Sequence, residues 1–173
     1  KPEEIPAYVK IETPVLITDP QTQGANSNAI TDGWIYINDE PIGVLEFPAE
    51  FPVLTSGPTN IKVFAGIKEN GFEAQREIYP FYAAYETDSN LVEDATITIN
   101  PIFTYKQSAK FVWTEDFEGL KVDFDSTQFS LASINQQTQV VRSGIRSGII
   151  SLNSSKYFIE AFSGYKMDLP GLG

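Results

Sequence analysis

A group of carboxylates, Glu115, Asp116, Glu118, Asp123 and Asp125, is the densest set of chemically capable side chains in this sequence. In an extended strand, Asp116 and Glu118 share one face while Phe117 points to the other, and Asp123 and Asp125 repeat the arrangement around Phe124. Hard oxygen donors at that spacing suit a structural calcium ion, which makes Asp116 and Glu118 the candidate metal ligands. The plainer alternative is a solvated acidic edge that discourages strand-to-strand aggregation. Two carboxylates also flank the scissile bond in glycosidases, but no active-site scaffold accompanies this pair.

A second set is aromatic: Tyr79, Phe81, Tyr82 and Tyr85. Tyrosine and tryptophan faces stack on sugar rings while their polar tips hydrogen-bond, so Tyr79, Tyr82, Tyr85 and Trp113 are the candidate ligand-binding residues. The competing explanation is packing in a core or between units, where aromatics dominate. Trp34 and Trp113 are each placed as core anchors of their own unit. A third set is the repeat Arg142-Ser143-Gly144, Arg146-Ser147-Gly148. On a strand its arginines share a face and could clamp a carboxylate or phosphate, although a glycine-bearing strand with exposed charges explains it as well.

Composition removes much other chemistry. The chain has no cysteine and no histidine, which excludes disulfides, thiolate sites, Ser-His-Asp triads and imidazole metal ligands. With 12 Lys and Arg against 23 Asp and Glu, its formal charge of -11 repels a phosphate backbone, so nucleic acid is not an expected partner. No apolar run approaches the roughly 20 residues that span a bilayer. Phosphate-loop and dinucleotide fingerprints are missing, as is a Ser-x-x-Lys motif at a helix start. Aromatics at 13% and a single Met favour strands over helices.

The elements that must position these groups are organised around Gly33 to Ile67. Trp34 to Ile37 reads as a strand, Asn38-Asp39 as the centre of a hairpin turn, and Ile42 to Phe47 as the return strand, ended at Phe47-Pro48. A proline-punctuated corner and a turn at Ser56-Gly57-Pro58 follow. Ile61, Val63, Ala65 and Ile67 then alternate with Lys62, Phe64 and Gly66, the period-two pattern of a half-buried strand. Upstream, Ala7, Val9 and Ile11 form a first strand broken by Pro14, and Asp19 to Asn28 reads as an exposed loop. Downstream, Glu69-Asn70-Gly71 turns the chain into Phe72 to Ile78, Asp88-Ser89-Asn90 reads as a polar turn, and Ala95 to Tyr105 contributes Ile97, Ile99 and Phe103 to the core. Phe111 to Trp113 and Arg142 to Leu152 read as strands of a later unit.

The run Trp34-Ile35-Tyr36-Ile37-Asn38-Asp39 with Ile42-Gly43, followed by Asn60-Ile61-Lys62-Val63 and Ala65-Gly66-Ile67, resembles the short β-sandwich repeat known as the PEGA domain. Together with Ile5-Pro6-Ala7-Tyr8-Val9 and Tyr79-Pro80-Phe81-Tyr82, it resembles the amino-terminal domain of Bacteroidetes cell-surface lipoproteins. Glu115-Asp116-Phe117-Glu118-Gly119 resembles the opening of jelly-roll modules of the laminin-G and carbohydrate-binding type.

The expected architecture is all-β. Residues 1–6 form a tether, 7–105 an immunoglobulin-like, PEGA-like β-sandwich, and 106–173 a second β unit resembling part of a jelly roll. About 65 residues are few for an eight-stranded jelly roll, so the second unit reads as reduced, as completed by a partner, or as part of a longer chain. Leu169 to Gly173 reads as a loop. The resemblance implies a non-enzymatic, exported lipoprotein on the outer membrane or cell surface, held by a lipid-bearing cysteine upstream of Lys1. Its role would be a binding or spacer module, with a surface protein or polysaccharide as partner. The alternative is a carbohydrate-binding module, with a structural calcium ion as its cofactor.

Overall fold

The computed structural model describes residues 4–72 and 75–164. Within them the chain is all-β and sandwich-like, and it divides into two compact units. The first comprises residues 1–19 and 26–110, and the second residues 20–25 and 111–173. The second unit is therefore discontinuous, and most of the Asp19–Asn28 stretch that reads as a connecting loop belongs to it.

In the first unit the strands are β1 (Ala7–Ile11), β2 (Val15–Leu16), β3 (Asp32–Ile37), β4 (Glu40–Glu46), β5 (Ala49–Val53), β6 (Gly57–Lys68), β7 (Arg76–Ile78), β8 (Tyr85–Leu91), β9 (Thr96–Ile99) and β10 (Ile102–Phe103). The long strand β6 is the spine of one sheet. It pairs antiparallel with β3 on one side, and on the other its first half pairs with β8 and its end with β7. β4 extends the sheet beyond β3. In a second sheet β1 lies between β5, antiparallel, and β9, parallel. β2 and β10 form a further parallel pair, so the beginning and end of the unit are laced together.

Alternation places the core where period two requires it. Ala7, Val9 and Ile11 of β1, Ile35 and Ile37 of β3, and Ile61, Val63 and Ala65 of β6 join Leu91, Ile99 and Phe103 in one buried cluster. Asn38 and Asp39 take positive φ (50° and 66°), the left-handed geometry of a tight hairpin. Asn60 fixes this turn from outside: its N–H donates to Asn38 Oδ1 (2.9 Å), while Asn38 N–H donates to the Asn60 carbonyl (2.8 Å).

Several sequence expectations are corrected. The proline corner holds a strand, β5, in which Pro52 lies opposite Tyr8; β5 is an edge strand, where proline's missing N–H costs no ladder bond. Asp88-Ser89-Asn90 is the middle of β8 rather than a turn, paired with Asn60, Thr59 and Pro58. The reversal falls later, with Asp94 at φ 59°. Return strand β4 starts at Glu40, and a bulge skips Ile42 so that Ile35 faces Gly43 and Tyr36 faces Pro41. Ile67 is exposed. Trp34 is not a core anchor: Ile35 and Ile37 take the core face of β3, leaving Trp34 and Tyr36 on the other.

The second unit contains β11 (Phe124–Ser126) paired with β14 (Ala161–Ser163), and β12 (Ile134–Gln137) paired with β13 (Ser147–Ile150), all antiparallel. Backbone bonds from Thr127 to Glu160 and from Leu131 to Phe158 lengthen the first ribbon. Among the described residues none of this unit is buried, and its apolar centre is a half-buried group in which Phe124 packs edge-on to Trp113 (5.1 Å, 82°) and stacks with Phe117 (6.4 Å, 21°). Residues 111–116 form no strand, and Arg142 precedes β13, so the two arginines do not share a strand face. The loop read at Leu169 to Gly173 lies outside the described residues, as does the start of the tether; Pro6 accepts a bond from the Asp94 N–H (2.9 Å).

Candidate functional site

Asp116 and Glu118 do not lie on the extended strand that periodicity implies, whereas Phe124 and Asp125 do, in β11. Residues 115–119 make a tight turn in which Phe117 has φ 62°, an unfavourable region for a bulky residue. The carboxylates hold that turn. Glu115 Oε1 accepts the Phe117 N–H (2.6 Å), its Oε2 accepts the Asp123 N–H, and Asp116 Oδ1 accepts the Glu118 N–H (2.9 Å). Gln136 Nε2 closes the outside of the turn by donating to the carbonyls of Phe117 (2.7 Å) and Gly119 (2.8 Å).

Glu118 joins this turn to the Arg-Ser-Gly repeat. Its Oε1 accepts the N–H groups of Ile145 (2.7 Å) and Arg146 (2.9 Å), while Arg146 Nη1 donates to the carbonyls of Glu118 (3.2 Å) and Gly119 (3.1 Å). The glycines of the repeat are the space for this junction. Gly144, at φ 74°, lies against the Glu118 carboxylate, and a Cβ on Gly148 would sit 2.5 Å from the Phe117 ring. Each Arg-Ser-Gly therefore brings one glycine against one side chain of the acidic turn.

For the metal reading, the result is that Asp116 and Glu118 are turned to backbone amides, and among the described residues no three Asp or Glu side chains group to hold an ion. Beside the junction lies a cleft of about 280 Å³, lined by Thr114, Asp116, Arg142, Ser143 and Arg146 among others.

The aromatic candidates fall in different units. Tyr79 and Tyr82 pack on each other (4.4 Å, 52°), and Tyr82 also meets Tyr105 (5.0 Å, 65°) and Phe103 (6.2 Å, 19°). Both are half-buried against the core, and both line an open cleft of about 200 Å³ with Ala29, Ile30, Gly66 and Ile67. Burial, then the Tyr105 hydroxyl bonded to it, pushes the Tyr82 hydroxyl well above the ordinary phenol value, and burial raises Tyr79 too. Tyr85 opens β8 opposite Val63 and packs against the core without joining that ring cluster. Trp113, in the second unit, packs on Phe124, and its buried indole N–H has no acceptor among the described residues.

A buried ion pair was not legible in the sequence. Asp32 lies on the outer face of β3, its side chain 3% exposed, with Arg76 Nε 3.5 Å from Oδ2 and Thr31 Oγ1 donating to the same oxygen at 3.1 Å. Gly66 supplies the room, because a Cβ there would collide with the Asp32 carboxylate. Glu46 adds a longer contact to Arg76 (3.8 Å), while Asp32 Oδ1 and Arg76 Nη1 have no hydrogen-bond partner among the described residues. The absence of a side chain at Gly66, inside an otherwise regular strand pattern, was the one available signal.

No protein-family model, curated protein or solved structure matches this chain.

Proposed function

We propose that the protein is a non-enzymatic binding module of the cell surface, exported and lipid-anchored, with its first unit acting as a spacer and its second unit presenting the binding surface. The supporting observation is the division of labour between the units. Every buried hydrophobic side chain among the described residues belongs to the first unit, whose cleft beside Tyr79 and Tyr82 is the smaller, about 200 Å³. The second unit spends carboxylate oxygens on shaping a turn and keeps beside it an open cleft whose lining includes Arg142, Arg146, Thr114 and Ser143. Export and the lipid anchor rest on the sequence resemblance to surface lipoproteins; the immunoglobulin-like reading of the first unit rests on its strand number and turn spacing, and the jelly-roll reading of the second on the resemblance of Glu115 to Gly119 to such modules. A second reading, a carbohydrate-binding module, is favoured by that cleft, which combines guanidinium, hydroxyl and carboxylate groups as sugar sites require.

The deciding experiment expresses the full natural gene in its own host and measures intact mass, lipidation and surface-protease accessibility. A lipidated, protease-accessible product is expected, and a soluble internal product overturns the surface assignment. Polysaccharide hydrolysis that disappears in Glu118→Gln would overturn the non-enzymatic reading.

A further inference from the structure

We propose that the cleft beside the acidic turn binds an acidic sugar, a saccharide unit bearing one carboxylate, with Arg142 as its principal anchor. This rests on the binding-module reading and names the ligand class of its second unit.

In a chain with 23 acidic and 12 basic side chains, a guanidinium has many carboxylates to choose from. Arg76 takes Asp32 and Glu46. Arg142 makes no ion pair or hydrogen bond among the described residues, and Arg146 donates to two backbone carbonyls rather than to a carboxylate side chain. Both arginines line the same cleft.

Glu115 and Asp116 also line the cleft, and their carboxylates are directed to backbone amides rather than to the guanidinium groups. Both oxygens of Glu115 accept backbone N–H groups, as do one oxygen of Asp116 and one of Glu118. A guanidinium left unpaired in a small concavity suits a planar carboxylate, which it can bind through two parallel hydrogen bonds. The hydroxyls of Thr114 and Ser143 line the same cleft and make no hydrogen bond among the described residues, so they can serve ligand hydroxyls.

Size and field narrow the class. At about 280 Å³ the cleft is below the roughly 300–1,000 Å³ typical of pockets for larger ligands, so it suits one ring of a chain. The net charge of -11 opposes a polyphosphate or densely sulfated ligand, whereas one carboxylate per bound ring carries little long-range penalty. The walls are preorganised, because Glu118 fixes the Ile145 and Arg146 amides and the turn holds Phe117 in its strained conformation.

The test is isothermal titration of the full chain with a galacturonic acid trisaccharide, the neutral galactose trisaccharide and sodium acetate, each at low and high salt. The uronic trisaccharide should bind most tightly, more weakly at high salt, and about tenfold or more less tightly to Arg142→Ala. Arg142 is exposed, so the variant should keep the parent's circular dichroism and melting temperature, and Tyr82→Phe should bind as the parent does. Absent uronate binding, equal affinity for the neutral sugar or acetate, or undiminished affinity in Arg142→Ala would overturn the proposal. Retention of some other glycan by parent and Arg142→Ala alike would remove the cleft assignment and leave the binding-module reading standing.

Discussion

Replacing Glu118 by alanine should loosen the second unit and leave the first intact. Glu118 Oε1 accepts two backbone N–H groups, at 2.7 Å from Ile145 and 2.9 Å from Arg146. A hydrogen bond to a charged group contributes about 1.5–3 kcal/mol net. The Ile145 amide bond is exposed and the Arg146 one half-buried, so water replaces part of what is lost and the low end applies to each. The expected cost is about 2–3 kcal/mol, with Glu118→Gln losing about half of that because it keeps an oxygen acceptor. Urea unfolding of the full chain in a Trp34→Phe background would leave Trp113 as the only indole, reporting on the second unit alone. A Glu118→Ala midpoint unchanged within about 0.5 kcal/mol, or an equal loss in Glu118→Gln and Glu118→Ala, would refute the view that this carboxylate holds the Arg-Ser-Gly segment in place.

Arg76→Met should destabilise the first unit by about 3–5 kcal/mol, because it leaves Asp32 buried and uncompensated, while the double variant Asp32→Asn, Arg76→Met should recover much of the loss. Equal urea midpoints for the two variants would count against a buried ion pair. Above pH 10 the first unit should lose stability. Tyr82 ionises near its ordinary value in the unfolded chain but is held protonated in the folded one, so its contribution is complete below that value and disappears as pH rises through the folded value. The loss from this group is at most about 1.4 kcal/mol per pH unit, and Tyr82→Phe should flatten the alkaline fall in urea midpoint; an unchanged slope would contradict it. Melting temperatures should be the same in calcium and in chelator, since one oxygen of Asp116 and one of Glu118 are directed to backbone amides; a rise of several degrees with calcium would show a bound ion and support Asp116 and Glu118 as its ligands.

Legibility differed between the two units for a physical reason. In the first, half-buried strands write period two directly into the sequence, so the core faces of β1, β3 and β6 could be read from Ala7 to Ile11, Ile35 to Ile37 and Ile61 to Ala65. In the second unit no residue is fully buried among those described, so little of that pattern is imposed: Phe111 to Trp113 reads as a strand it does not form, and of Arg142 to Leu152 only Ser147–Ile150 is one. Of the site, the residues were visible in advance, but their relation was not. The acidic run and the Arg-Ser-Gly repeat are far apart in sequence, and only the folded chain brings Gly144 against Glu118 and Gly148 against Phe117.

By itself the sequence determined an all-β chain, the Asn38-Asp39 reversal, and a chemistry without thiol or imidazole, because composition, local alternation and turn stereochemistry act on neighbouring residues. Tertiary structure decided the rest through contacts between distant segments. Pairing with β6 drew Asp88-Ser89-Asn90 into a strand against its local turn preference, an edge position admitted Pro52 to β5, and two glycines turned an acidic run into one wall of a cleft. Long-range hydrogen bonds and packing outweigh the small free-energy differences between local conformations, and those differences are all that a single stretch of sequence encodes.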